Sequence, residues 1–206
     1  MPRISCSRLV VFLAATITSI SSAVATPQID PNDDMRILAI WRVQEFDLDV
    51  RTQRGYYTCS SLETKIVSIM VAVGAADVAV KLNCTGLTRN ASARIAALVP
   101  VPANDDNIRS ATTPDARSEL VAKLRGAQLP TPDTLQRFVA EWRTVSLGRS
   151  QLHIRPEDCD LLREINRQIL PQLSVRIVEA RLSCDNVSRF PVPPKLVVQA
   201  LTRTVA

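Results

Sequence analysis

Four cysteines are the residues best placed to do chemistry, and their spacing narrows what that chemistry can be. Cys59 and Cys84 stand 25 positions apart, and so do Cys159 and Cys184, with the second pair 100 residues after the first. Zinc sites usually set their ligands in pairs two to four residues apart. This chain has no C-x-x-C and its one histidine is His153. The fifth cysteine, Cys6, lies in the N-terminal stretch read below as a signal peptide, and the even set left after its removal reads as the disulfide framework of an exported chain. Once paired, the sulfurs are withdrawn from metal and nucleophilic work.

The other reactive side chains form no recognisable set. His153 sits in Gln-Leu-His-Ile-Arg before a proline and is read as structural. Glu157, Asp158 and Asp160 crowd around Cys159. A negative charge at a helix start interacts well with the helix dipole, so these acids are read as caps rather than as an acid/base pair. G-x-S-x-G, the phosphate-binding loop and H-E-x-x-H are absent from the sequence. No catalytic, cofactor-binding or metal-binding residue is therefore assigned, no cofactor is expected, and the chain is not expected to be an enzyme.

The elements that position the cysteines choose their partners. Leu62, Ile66, Ile69, Met70 and Val73 recur at helical spacing, Ser60 and Ser61 offer a cap, and Gly74 stops the helix. Val78, Val80, Leu82 and Cys84 then alternate with Ala79, Lys81 and Asn83 as a half-buried strand. Fourteen helical residues rise about 21 Å, and seven strand residues return about 23 Å. Cys84 thus ends beside Cys59. In the second half Leu162, Ile165 and Ile169 mark a helix that Pro171 terminates, and Val178, Ala180, Leu182 and Cys184 share a strand face. Leu62 matches Leu162, Ile69 matches Ile169, Val78 matches Val178 and Leu82 matches Leu182. Equal spacing and equal phase point to an internal duplication.

Each unit continues into a further strand, Ser92 to Val101 and Lys195 to Leu201, through turn-forming loops at Thr85 to Ala91 and Asp185 to Pro194. Each is preceded by strand-like sequence, Ile37 to Val50 and Phe138 to Leu147. The expected fold is α+β. Two repeated strand-helix-strand-strand units form a mixed, mainly antiparallel sheet with helices on one face, stapled by disulfides. The units span 26–102 and 133–206. Residues 103–132 form a proline-rich connection with one short helix, in which Thr113 caps, Pro114 leads, Leu120, Val121 and Leu124 face inward, and Gly126 follows.

Residues 1–25 read as a signal peptide. Met1 to Arg8 is basic, Leu9 to Ile20 is apolar and too short to span a bilayer, and Ser21 to Ala25 ends in an A-x-A cleavage pattern. The mature chain is expected in the periplasm or outside the cell, with no transmembrane segment. The net charge of the whole sequence, +5, is modest, and export argues against nucleic acid as a partner.

Two features lean towards binding. The first helix is apolar around most of its circumference, which leaves Val67 and Val71 beyond the stripe a sheet needs. Arg54, Tyr56 and Tyr57 lie just before it, and aromatics with arginine suit an interface, although core packing of at least one tyrosine is the stronger expectation. On the second helix Arg163 and Arg167 lie one turn apart and offer a basic face.

Trp41-Arg-Val-Gln-Glu-Phe46, Gly55-Tyr-Tyr-Thr-Cys59, Val73-Gly-Ala75, Asp158-Cys-Asp-Leu-Leu162 and Ile169-Leu-Pro171 together resemble a group of uncharacterised exported bacterial proteins with four cysteines. The resemblance implies a periplasmic bacterial setting and no particular activity. The expected function is non-catalytic binding or scaffolding of a partner in the cell envelope. Lipid or envelope-surface binding and a small enzyme of unfamiliar type are the alternatives.

Overall fold

The computed structural model describes residues 35–204 except 54, 115, 127, 149–151, 153 and 185–193. The expected signal peptide, Arg54, His153 and most of the expected second turn loop thus lie outside the described residues. Among the described residues the strands are β1 (Arg36–Arg51), β2 (Tyr57–Thr58), β3 (Ala76–Asn83), β4 (Leu87–Thr88), β5 (Asn90–Pro102), β6 (Arg137–Ser146), β7 (Val175–Arg181) and β8 (Lys195–Arg203). The α-helices among them are α1 (Cys59–Ala72), α2 (Asp105–Thr112), α3 (Ala116–Arg125) and α4 (Cys159–Gln168).

Six strands form one sheet in the order β3-β5-β1-β6-β8-β7, with every neighbouring pair antiparallel. Within each half the third strand lies between the first and second. A helix about 10 Å across cannot cross between strands only about 4.8 Å apart without overhanging them. The gap left by the crossover takes the returning strand. The halves join through their first strands: Arg36–Ile40 of β1 pair with Arg137–Glu141 of β6. Glu141 is held on both sides, by Arg36 and by Thr202.

Both main helices cover one face of the sheet. Leu62, Ile66, Ile69 and Met70 of α1 and Leu161, Leu162 and Ile165 of α4 enter one core with Phe46, Leu48 and Val50 of β1, alternate residues of β5, and Leu196, Val198 and Ala200 of β8. Each large apolar side chain fully buried there contributes about 1.5–3 kcal/mol. The opposite face carries a smaller cluster of Ala39, Phe138, Ala140 and Leu201, flanked by Trp41 and Trp142. Trp41 stacks on Phe138 at 4.6 Å between ring centroids.

The disulfides join Cys59 to Cys84 and Cys159 to Cys184, with Cα atoms 6.1 and 5.6 Å apart. Each ties the first turn of a helix to the end of the strand that returns from it. The cap of α1 is Thr58 rather than the serines: its hydroxyl accepts from Ser61 N at 3.1 Å. Gly74 ends the helix at φ +92°, and a Cβ there would run into the carbonyl oxygen of Leu201. The end of α1 therefore lies against the backbone of β8, across the junction of the halves.

Three expectations need correction. The connection holds two helices, because Asn104 caps α2 by accepting from Asn107 N while Asp105 and Asp106 fill its first turn. In α3, Leu120 and Leu124 face solvent, at 58% and 78% exposure, since nothing packs over that helix face. Val178 is also exposed, because a bulge between Ile177 and Glu179 breaks the alternation of β7.

Candidate functional site

A buried grouping of polar side chains lies where the loop between β1 and α1 meets the start of α4. Tyr57 reaches it from β2, which pairs with β4 in a two-stranded ribbon. Lys65 reaches it from the second turn of α1. Asp158 ends the 3-10 turn Pro156–Asp158 that leads into α4. The Tyr57 hydroxyl donates to Asp158 Oδ1 at 2.7 Å, Lys65 Nζ donates to Oδ2 at 2.7 Å, and Arg155 N donates to the same Oδ2 at 2.8 Å. Asp158 is 1% exposed and Tyr57 5%.

Asp160 acts in the same way one step further on. Its Oδ2 accepts from Gln53 N at 2.8 Å and its Oδ1 from Arg163 at 2.6 Å. The two carboxylates sit at the start of α4, as expected, but they do more than favour the helix dipole, and Asp158 makes no side-chain capping bond to α4. They fasten backbone and side chains of the first half to the second. Burial, aided by the bond to Asp158 and its negative charge, pushes the Tyr57 phenol far above its ordinary value of 10.0. Such a tyrosine stays protonated and cannot serve as a base. Asp158 is 1% exposed with both oxygens already accepting hydrogen bonds, so its carboxylate is shut away from solvent. Among the described residues, no three His, Cys, Asp or Glu side chains group as a metal site.

The residues expected to form a partner surface are not gathered at one place. Tyr56 is exposed, with the Arg89 guanidinium 4.3 Å above its ring. Tyr57, its neighbour, is buried and bonded, which corrects its assignment to a surface. Val67 is half-buried on α1, and Val71 is 55% exposed. Arg163 pairs with Asp160, and Arg167 pairs with Glu164 at 2.6 Å. The basic face of α4 is therefore largely neutralised by acids on its own helix.

Sequence reasoning missed a groove of about 660 Å³ beside the middle of β1. Trp41, Arg42, Val43 and Gln44 form one wall, the end of α2 a second, and Leu129, Pro130 and Leu135 a third. Val43 is 73% exposed in it. The signal available was an apolar residue at an odd position in a strand whose even positions are buried further along.

A second feature of β1 lies on the same edge. Beyond Ile40 the strand has no β6 neighbour, and side chains from α4 stand in for one. Gln168 donates from Nε2 to Asp49 O at 2.9 Å and accepts from Asp49 N at 3.0 Å. Asp160 takes Gln53 N; separately, the Gln44 side chain donates to Gln172 O in the turn after α4. An amide that both donates and accepts at one residue reproduces the two bonds a neighbouring strand would make.

Comparison with protein-family models, curated proteins and solved structures found no match to this chain.

Proposed function

We propose that the chain is an exported protein of the bacterial cell envelope that binds or scaffolds a partner and does no chemistry. The observation that carries this reading is a contrast. The buried acids that could have served catalysis are spent on internal bonds, whereas an apolar groove with Trp41 and Val43 lies open beside β1. Pockets of this kind, mostly apolar with a few polar groups, are typical of binding sites. Two disulfides fit an oxidising compartment, and no helix of the described residues is long and apolar enough to cross a membrane. The shared strand order of the two halves supports their origin in one duplicated unit.

The test is a photo-crosslinking residue placed at Val43, Tyr56 or Val71 in the full chain expressed in bacterial cells. A discrete adduct from one position supports the reading. Failure at all three positions under several growth conditions removes it. Export is tested separately: the periplasmic protein should begin at Thr26. Flotation with anionic vesicles distinguishes the lipid-surface alternative, which requires Arg163 and Arg167 to leave Asp160 and Glu164.

A further inference from the structure

We infer that the open edge of β1 between Trp41 and Asp47 takes an extended, basic peptide segment of a partner as an added strand. This deepens the binding reading and rests on it. The backbone geometry of β1 is fixed by its neighbours. Odd residues turn their N–H and C=O groups away from β5: Asp49 does so to meet Gln168, and Gln53 N does so to meet Asp160. Even residues turn towards β5, as Leu38 O does in accepting from Ala103 N. The same parity sends the amide and carbonyl of Val43, Glu45 and Asp47 to the side where β6 no longer runs.

On either side of this stretch the protein completes the edge, with β6 up to Ile40 and with Gln168 and Asp160 at Asp49 and Gln53; within it the Gln44 side chain reaches Gln172 O, while the outward backbone groups of Val43, Glu45 and Asp47 meet no hydrogen-bond partner among the described residues. From Trp41 to Asp47 the edge spans about 20 Å, with outward groups recurring about every 6.8 Å. Another extended chain has that repeat, which is why strand addition is the mode an open edge supports. The groove at Trp41–Gln44 gives the chain room at one end.

Charge selects the occupant. Glu45 and Asp47 stand exposed on the sheet face away from the helices, next to Asp49; Asp47 makes only a loose, solvent-exposed pair with Arg94 of β5 at 3.4 Å, worth little in water, and Glu45 has no ion-pair partner among the described residues. A strand laid antiparallel to β1, in line with β6, would set its residues opposite Asp47, Glu45 and Val43 in that order. Cations opposite the two acids and an apolar residue opposite Val43 make favourable cross-strand pairs. A second copy of β1 laid antiparallel would set acids against acids or against apolar side chains.

The probe is an acetylated, amidated peptide, Arg-Thr-Lys-Thr-Val-Thr, labelled for fluorescence anisotropy against the full mature chain. Its control is Glu-Thr-Glu-Thr-Val-Thr. The basic peptide should bind and the acidic one should bind several-fold more weakly. Val43→Pro removes one outward amide at an edge position where proline is tolerated, and should weaken binding about five- to tenfold. Should Val43→Pro fail to fold, the double variant Glu45→Lys with Asp47→Lys, both exposed, carries the test by reversing the peptide preference. No binding up to about 1 mM, equal binding of both peptides, or binding unchanged by either variant would overturn the inference. So would a dimer of the unliganded protein that Val43→Pro dissociates, because a second copy would then fill the edge. A partner crosslinked from Val71 and none from Val43 would also refute the edge, while leaving the binding reading in place.

Discussion

Tyr57→Phe tests the buried seam most directly, because it deletes one oxygen and leaves the ring. The hydroxyl donates to a carboxylate that is 1% exposed. Hydrogen bonds to charged groups typically contribute about 1.5–3 kcal/mol. At pH 8 the variant should therefore unfold about 2 kcal/mol more easily. Alkali should erase the difference. The folded protein holds the phenol neutral far above 10.0, whereas the unfolded chain releases the proton near its ordinary value. The contribution of Tyr57 is thus whole below pH 10 and falls by about 1.4 kcal/mol per unit as pH rises further. A deficit of about 2 kcal/mol closes near pH 11.5, and above that the phenylalanine variant is the more stable. Urea denaturation at half-unit steps from pH 8 to 11.5 reads the effect. Tyrosinate absorbance gives an independent record, since the share from Tyr57 should appear only with unfolding. Parallel stability curves for the two proteins between pH 9.5 and 11.5 would refute the reasoning.

Three further outcomes follow from the same contacts. Asp158→Asn should cost about 2–4 kcal/mol, less than a fully dry ion pair because Lys65 is 21% exposed, and a double-mutant cycle with Lys65→Met should recover most of it as coupling. Gly74→Ala should cost about 2–4 kcal/mol in urea denaturation, from the left-handed backbone and the displaced strand at Leu201 together. Replacing Cys159 and Cys184 by serine should cost about 2–4 kcal/mol, and non-reducing peptide mapping of the parent should find only the pairs 59–84 and 159–184.

Much of the fold was legible because it rests on local arithmetic. The rise of a 14-residue helix and the return of the strand after it place Cys84 by Cys59 with no knowledge of the rest of the chain. The strand expected from Phe138 is held in place by pairing with both β1 and β8. Helix α2 was legible but overlooked: an asparagine followed by two acids is a helix-start pattern, here hidden among prolines. The site was far less legible. An acid before a helix looks the same whether it caps that helix or binds a tyrosine 101 residues away and a lysine 93 away. The open edge of β1 depends on which strands flank it and how far they run, and the strand's own residues do not encode that.

Glu141 has Arg36 as one neighbour and Thr202 as the other. The start of the first sheet strand and the end of the last therefore sit about two strand spacings apart, near 10 Å. A short linker could join them, and the chain could be opened instead at the exposed Gly126. Such a circular permutant, reading the second half before the first, would preserve every pairing in the sheet. The order in which the halves are encoded is thus incidental to the architecture: the sheet depends on β1 meeting β6, and either half can come first.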